Sequence, residues 1–355
     1  MRLTQLIPKA SVPERTEYPP IDPVPEGIHR PFWSVMIPTY NRAKYLEQTL
    51  KSVLEQDPGP DEMQIEVIDN CSTKNDPEEV IRKMGQGRVH FYRQPSHVGM
   101  SENWTTCIKR SRGYWVHILH DDDVVLPGFY AAYKRLIEEK PEIVMVFCRA
   151  ISIDEDDEWI QIMYSSPHST STCVLRNAAY ELVKGNFISA PTVAAAREAY
   201  EEVGGFASCL PYSADWEMWM RIAASGSIGY IHRPYLLYRV HSDSDTSRLI
   251  LSSKNIKEIV RAIEIGVPKL PPHLREKARS EAYKHYSAYA DDFRSKLYAE
   301  RQYMAALRHA LWAFRLYRSF PNLLRLVLSA FRCLVNGKQE DRWPNKSANK
   351  DRAVI

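Results

Sequence analysis

The stretch YWVHILHDDDVVLPGFY (Tyr114–Tyr130) decides how this chain is read. An apolar and aromatic run stops abruptly at three adjacent carboxylates, Asp121, Asp122 and Asp123. Adjacent carboxylates repel one another, and bringing them near a core costs desolvation energy. Taken alone, the triplet reads more simply as a solvated acidic turn; its surroundings decide otherwise. In extended backbone, residues i and i+2 share a side. Asp121 and Asp123 are therefore expected to aim at one point while Asp122 faces elsewhere. Two converging carboxylates need a counter-charge, and a hard divalent cation, Mg²⁺ or Mn²⁺, sharing its shell with substrate phosphates is the natural one.

Working outward from the triplet, alternating elements emerge. WSVMIPTY (33–40) is an apolar run ended by Pro38, and NRAKYLEQTLKSVLEQ (41–56) has helical spacing at Leu46, Leu50, Val53 and Leu54, with Asn41 as the expected cap. IEVIDN (65–70) is a second strand, DPEEVIRKM (76–84) a helix with Pro77 at its first position, and VHFYRQ (89–94) a third strand. SENWTTCIKRS (101–111) is a helix and YWVHILH (114–120) a fourth strand. Such alternation predicts a parallel sheet with helices on both faces, whose ligands bind at the strands' carboxyl ends. The polar clusters PTYNR, IDNCST and HDDD all fall there.

The later chain is mixed. A helix over 129–139 and a strand over 142–154 are expected, then a loop (155–159) and helices over 174–186 and 214–226. Residues 190–206 read as a short strand and a helix ending at Gly204–Gly205, and 228–241 as strand. From about 254 to 336 the pattern is helical. The N-terminal 32 residues are proline-rich, lack an apolar signal core, and read as an extended arm outside the fold.

Composition narrows the function classes. A formal net charge of +3 over 355 residues makes no global commitment to nucleic acid. Six scattered cysteines without a C-x-x-C pair suggest neither a zinc knuckle nor a disulfide framework, and fit reduced thiols in a cytosolic protein. No apolar stretch is long enough to span a bilayer. From Arg301 to Lys338 the sequence carries seven basic residues and no acid, interleaved with large apolar side chains. That pattern reads either as a membrane-surface element or as a helical hairpin packed on the catalytic domain.

Further candidates join the acidic triplet. Asp215 opens a predicted helix, where the dipole favours a carboxylate, as a cap or as a general base. His241 follows a strand and is a candidate third metal ligand.

Together these motifs resemble the inverting family 2 glycosyltransferases of GT-A fold. The resemblance runs from about Ser34 to Ser247 through SVMIPTYNRAKYLEQTLKSVLEQ, EVIDNCST, HVGMSENW, YWVHILHDDDVVLPG, VGGF, DWEMWMRIA and YRVHSDSDTS, in the family's order. It implies a mainly parallel central sheet flanked by helices, with a C-terminal helical extension. It also implies that Pro38, Thr39, Tyr40 and Asn41 line a nucleotide pocket, that Asp69 meets the base, and that Gly99 and Asn103 lie beside nucleotide and sugar. Asp121 and Asp123 match the D-x-D metal motif, and His241, with Arg239 nearby, matches a further metal or diphosphate contact. Asp215 matches the catalytic base, and Gly204, Gly205 and Phe206, with Trp216, the acceptor side. Three positions depart from the family pattern: Asn70 in place of a second acid, Ala214 in place of Glu, and His120 before the triplet. The last leaves the metal motif's register open by one residue, with Asp122 as a competing donor-site ligand.

The resulting expectation is a catalytic domain over 33–250, with a nucleotide-binding half (33–125) and an acceptor-binding half (126–250). A helical region (251–338) and a polar tail (339–355) follow. The expected activity is Mn²⁺- or Mg²⁺-dependent inverting transfer of a sugar from a nucleoside-diphosphate donor, foremost a UDP-sugar, to a hydroxyl of a glycan or lipid-linked acceptor. The resemblance suggests cell-surface polysaccharide synthesis in the cytoplasm, at the inner face of the membrane if the basic helices meet lipid. The alternatives are a nucleotidyltransferase of similar topology, for which PTYNRAKYL lacks the Gly-rich basic loop, and a degenerate binding module.

Overall fold

The computed structural model describes residues 18–163, 170–240 and 249–336. Contacts divide the chain into two units: residues 17–178 with 187–240, and a second containing 179–186 and the chain from 241 onward.

The first unit is built on one sheet. β1 (Trp33–Thr39), β2 (Met63–Asp69), β3 (His90–Arg93) and β4 (Trp115–Ile118) run parallel in the order β3-β2-β1-β4. Every residue of β1 and β2 is buried, as in a sheet covered on both faces. α1 (Ala43–Leu54) lays Leu46, Leu50 and Val53 on Val35, Ile37, Ile65 and Val67. α2 (Pro77–Met84) starts as expected, with Asp76 accepting from Glu78 N and Pro77 in its first turn. α3 (Met100–Arg110) and α4 (Phe129–Glu139) complete this half.

The other half departs from an all-parallel sheet. β9 (Ala194–Ala196) lies antiparallel between β4 and β6 (Ile143–Ile153), while β10 (Ser227–Arg239) runs parallel to β6. β5 (Val124–Val125) pairs antiparallel with β10, and β7 (Trp159–Ile162) and β8 (Cys173–Val174) add short edges. α6 (Arg197–Val203) and α7 (Ala214–Ser225) follow β9.

Two boundaries move. The expected arm of 32 residues joins the fold from residue 18, because Ile21 is buried and Tyr18 donates from its hydroxyl to Glu217 Oε1 at 2.7 Å. α5 (Ala178–Lys184), read as part of the catalytic domain, groups mainly with the second unit. There Tyr180 donates to Glu281 at 3.0 Å and the Tyr286 hydroxyl accepts from Asn186 N at 3.0 Å. α8 (Lys254–Gly266), α9 (Pro272–Ala299), α10 (Tyr303–Leu316) and α11 (Phe320–Asn336) form the rest of that unit. Ala305 and Ala306 of α10 pack on Ile250, Phe293 and Leu297, small residues allowing close approach.

Candidate active site

The sheet register gathers the polar strand ends. Thr39 pairs with Asp69, Asp69 with Arg93, and Leu119 N donates to Met36 O at 3.0 Å, so the acidic triplet begins just beyond the end of β1. Asn41 has a positive φ of 57°, a conformation Asn tolerates better than most residues, and this turns the chain from β1 into α1. It does not cap α1 as expected. Its Oδ1 accepts from Thr73 N at 2.8 Å and Lys74 N at 2.9 Å, locking the loops after β1 and β2 together.

Asp69 is fully buried and accepts from Ser72 Oγ at 2.6 Å and Arg93 Nε at 2.7 Å. Asn70 explains its own departure from the family pattern. Its Oδ1 accepts from Val98 N and its Nδ2 donates to Val98 O, both at 2.8 Å. A carboxylate, acceptor only, cannot make that pair. The clamp holds His97, whose ring lies 4.3 Å from that of Tyr40. Gly99 precedes α3, and Asn103 is buried, tying Ile68 O to Gln94.

The triplet itself is a turn, not extended backbone. The i, i+2 alternation therefore fails, and the acids are sorted differently from the expectation. Asp121 turns to β1, where its Oδ2 accepts from Thr39 Oγ1 at 2.6 Å. Arg42 bridges Asp122 at 2.7 Å and Asp121 at 3.7 Å. Asp123 takes Arg239 N on Oδ1 at 2.8 Å and faces His120 Nδ1 with Oδ2 at 3.4 Å. The carboxylates of Asp122 and Asp123 and the ring of His120 bring one donor atom each within 4.8 Å of one another. That trio is the metal-capable group among the described residues; His241, the third ligand expected beside Asp121 and Asp123, lies outside them. The trio suits a divalent ion: His120 Nε2 and Asp123 Oδ2 are buried without a hydrogen-bond partner, and the donor set is nitrogen plus carboxylate.

Electrostatics agree with this sorting. Burial, then the charge of Asp122, pushes the Asp121 carboxyl up to about 7. Burial pushes Asp123 up to about 6, against the pull of His120. Burial alone would lower His120, but the facing Asp123 carboxylate and the charges of Asp122 and Asp121 raise it overall.

Arg239 fixes the turn from behind. β10 meets β5 with Leu237 opposite Val124, which carries Arg239 alongside the acids. Its Nε donates to Asp122 O at 3.0 Å and its NH2 to Gln48 Oε1 at 2.7 Å. Its NH1 reaches Asp154 O at 2.9 Å and Asp157 at 2.7 Å. The guanidinium thus holds α1, the turn and the 154–157 loop in one place.

Asp215 lies half-buried in the first turn of α7. Burial raises the nearby Tyr238 phenol well above its usual range, helped by the charges of Asp123, Asp122 and Asp215. Of the expected acceptor-side residues, Phe206 and Trp216 are each 2% exposed. A side chain on Gly205 would meet Thr105 at 2.7 Å, and one on Gly204, already at φ 82°, would meet Tyr18 at 2.9 Å. Phe206 meets Trp104 edge-on at 5.2 Å, and Trp104 stacks on His120 at 5.2 Å. The segment therefore buttresses the acidic turn through two rings. Sequence reading flagged His120 only as a departure. Its spacing of three from Asp123, which a turn brings together, was the available signal.

Comparisons with known proteins agree with the fold and the motifs. The model for glycosyl transferase family 2 matches residues 34–204. An uncharacterised protein of Mycobacterium tuberculosis is 26% identical over 244 residues, 66% of this chain and 75% of its own length. An uncharacterised glycosyltransferase of Rickettsia typhi is 22% identical over 231 residues, 64% of this chain and 69% of its own. Among solved structures, S. aureus TarS 1–349 in complex with UDP-GlcNAc has a TM-score of 0.61 at 15% identity, covering 86% of this chain and 92% of that one. The mannosyltransferase PcManGT of Pyrobaculum calidifontis, in complex with GDP-Man and Mn²⁺, has a TM-score of 0.53 at 19% identity, covering 89% and 84%. The fold is GT-A, and the chain is a glycosyltransferase whose residues 34–204 match the model for glycosyl transferase family 2.

Proposed function

We propose that the chain is a metal-dependent, inverting glycosyltransferase that moves a sugar from a nucleoside diphosphate, foremost UDP, to a hydroxyl of a glycan or lipid-linked acceptor. The observation that carries this reading is the trio of His120, Asp122 and Asp123 beside the nucleotide-side strand ends, in which His120 Nε2 and Asp123 Oδ2 are buried without a hydrogen-bond partner. Mn²⁺ or Mg²⁺ held there would offset the negative charge that grows on the departing diphosphate. Both a UDP-sugar and a GDP-sugar occur among the structural neighbours, the second with Mn²⁺, which supports the donor class.

The chain's own residues divide the remaining work. Tyr40 and His97 offer the nucleobase an aromatic wall, held by the Asn70 clamp. Thr39 fixes Asp121, and Arg42 supplies a half-exposed cation beside the acids, suited to phosphate oxygens. On α7, Asp215 takes the proton of the acceptor hydroxyl as that oxygen bonds the anomeric carbon and the bond to the diphosphate breaks. A base on a separate helix from the acids suits attack from the opposite face, which inverts the anomeric centre. We place the activity in the cytoplasm, in surface polysaccharide synthesis, as the family resemblance suggests.

Calorimetric titration with UDP, GDP, dTDP and CDP, in Mn²⁺ and then in EDTA, tests the reading. Binding of one diphosphate that needs Mn²⁺ and is lost in Asp122→Asn supports it. Folded protein that binds none of them overturns it.

A further inference from the structure

α11 is amphipathic the wrong way round for a helix in water. Its inner side is polar and small. Asn322, Ser329 and Cys333 are buried there, and Asn322 Nδ2 donates to Tyr317 O at 2.8 Å and to Ser287 Oγ at 3.0 Å. Its outer side is apolar. Phe320 is 77% exposed, Phe331 65% and Leu334 87%, and Leu324 and Val327 fill the same stripe. The spacing of four, three, four and three residues from Phe320 through Leu324, Val327 and Phe331 to Leu334 keeps them on one face. Neighbouring α10 behaves in the ordinary way, with Ala305, Ala306, Ala310, Ala313 and Leu316 turned inward. Of the two readings open for the basic C-terminal segment, packing therefore describes α10, and an apolar face that no described residue covers describes α11.

Charge selects the occupant. Arg318, Arg325 and Arg332 are exposed around the stripe, Arg325 with one nitrogen 3.1 Å from Asp291 of α9, and the sequence holds no acid between Arg301 and Lys338. A second copy docking on this face through a two-fold axis would set like charges against like. Anionic headgroups oppose those arginines favourably while acyl chains take the rings. No described helix is long and apolar enough to cross a membrane.

We propose that the outer face of α11 is a docking surface for an anionic lipid bilayer. Phe320, Leu324, Val327, Phe331 and Leu334 enter the headgroup–acyl boundary, and Arg318, Arg325 and Arg332 meet lipid phosphates. The proposal is independent of the transferase reading, and nucleotide titration on the same samples separates the two.

The test is co-sedimentation of the full chain with phosphatidylcholine vesicles, plain or containing about a quarter phosphatidylglycerol. Binding is expected to be at least about 10-fold stronger to the anionic vesicles and to weaken in about 0.5 M salt, where charges are screened within a few ångströms. The double variant Phe331→Glu, Leu334→Glu changes only exposed side chains; it should lose vesicle binding and keep its nucleotide affinity. Arg325→Gln with Arg332→Gln should lose the anionic preference alone. Wild-type protein that ignores anionic vesicles, or glutamate variants that bind them as well as wild type, overturns the proposal. So does a concentration-dependent dimer that only the glutamate variants dissolve, which would assign the face to a second copy.

Discussion

Two of the places where the catalytic unit buries acidic side chains treat them in opposite ways. Beneath the Gly-Gly-Phe segment, Glu217 is 1% exposed and both its oxygens accept from Arg221 Nε, at 2.9 and 3.0 Å. Tyr18 donates to it as well, and the remaining Arg221 nitrogens reach the carbonyls of Val203, Gly204 and Gly205. Every charge there has a partner. In the acidic turn, three buried carboxylates share a half-exposed Arg42 and His120, Arg239 spends its guanidinium mostly on carbonyls, and Asp123 Oδ2 has no hydrogen bond. A buried charge satisfied from within is scaffolding, while one left short waits for something from outside.

The comparison breaks first under substitution of the acids themselves. Asp122→Asn and Asp123→Asn are each expected to cut transfer by at least about 10²-fold, the scale of losing one preorganised charge-stabilising group. Melting temperature in EDTA should hold or rise, because one of three repelling carboxylates is gone. Asp215→Asn should cut turnover by roughly 10²- to 10⁴-fold, as for loss of a general base, with Mn²⁺-dependent nucleotide affinity unchanged. At the satisfied site the signs reverse. Glu217→Ala leaves Arg221 buried and unpaired and should cost about 3–5 kcal/mol of stability, read by chemical denaturation. The protein that remains folded should bind nucleotide as before. A Glu217 variant of unchanged stability would show that satisfaction does not distinguish the two sites.

A smaller effect sharpens the contrast through pH. The folded values of Asp121, about 7, and Asp123, about 6, lie above the unfolded carboxylate value, so the folded state holds protons that the unfolded state releases. Their contribution to stability is full below the unfolded value and is lost as pH rises through 6 and 7. His120, raised as well, adds in the same direction. Metal-free protein should therefore melt lower at pH 8 than at pH 5.5, and Mn²⁺ should narrow that gap because it replaces the lost protons. Asp121→Asn with Asp123→Asn should flatten the dependence; a variant that keeps the full slope would place its source elsewhere.

What was legible in the sequence follows the same division. β1, β2 and β4 were readable because strands buried on both faces are near-continuous apolar runs. The bounds of α4 were readable because Pro127 and Gly128 punctuate its start. The direction of β9 was not, since three alanines carry no pattern that tells parallel from antiparallel. Two-residue β5 has no sequence signal, yet it sets Arg239 beside the acids. The triplet announced the site, but its sorting depended on a turn that strand periodicity cannot foresee. Tyr18 and Ile21 hid inside a proline-rich composition that reads as linker, although their own side chains were the reason that segment packs.

The smallest predicted effect lies at Asn70, where the clamp on Val98 uses donor and acceptor together. Asn70→Asp has nearly the same shape but sets a carboxylate oxygen against Val98 O, leaving one carbonyl without its donor. The cost of such a loss is about 1–3 kcal/mol, which here is shared between stability and the order of the loop carrying His97. Because His97 faces Tyr40 and not the acids, nucleotide affinity should fall by roughly 10-fold or less, while Mn²⁺ affinity measured without nucleotide stays constant. If Asn70→Asp weakened both equally, the nucleobase wall and the acidic turn would be one cooperative unit. If it weakened neither, Asn70 would belong with Glu217 among residues whose buried polarity serves the fold alone.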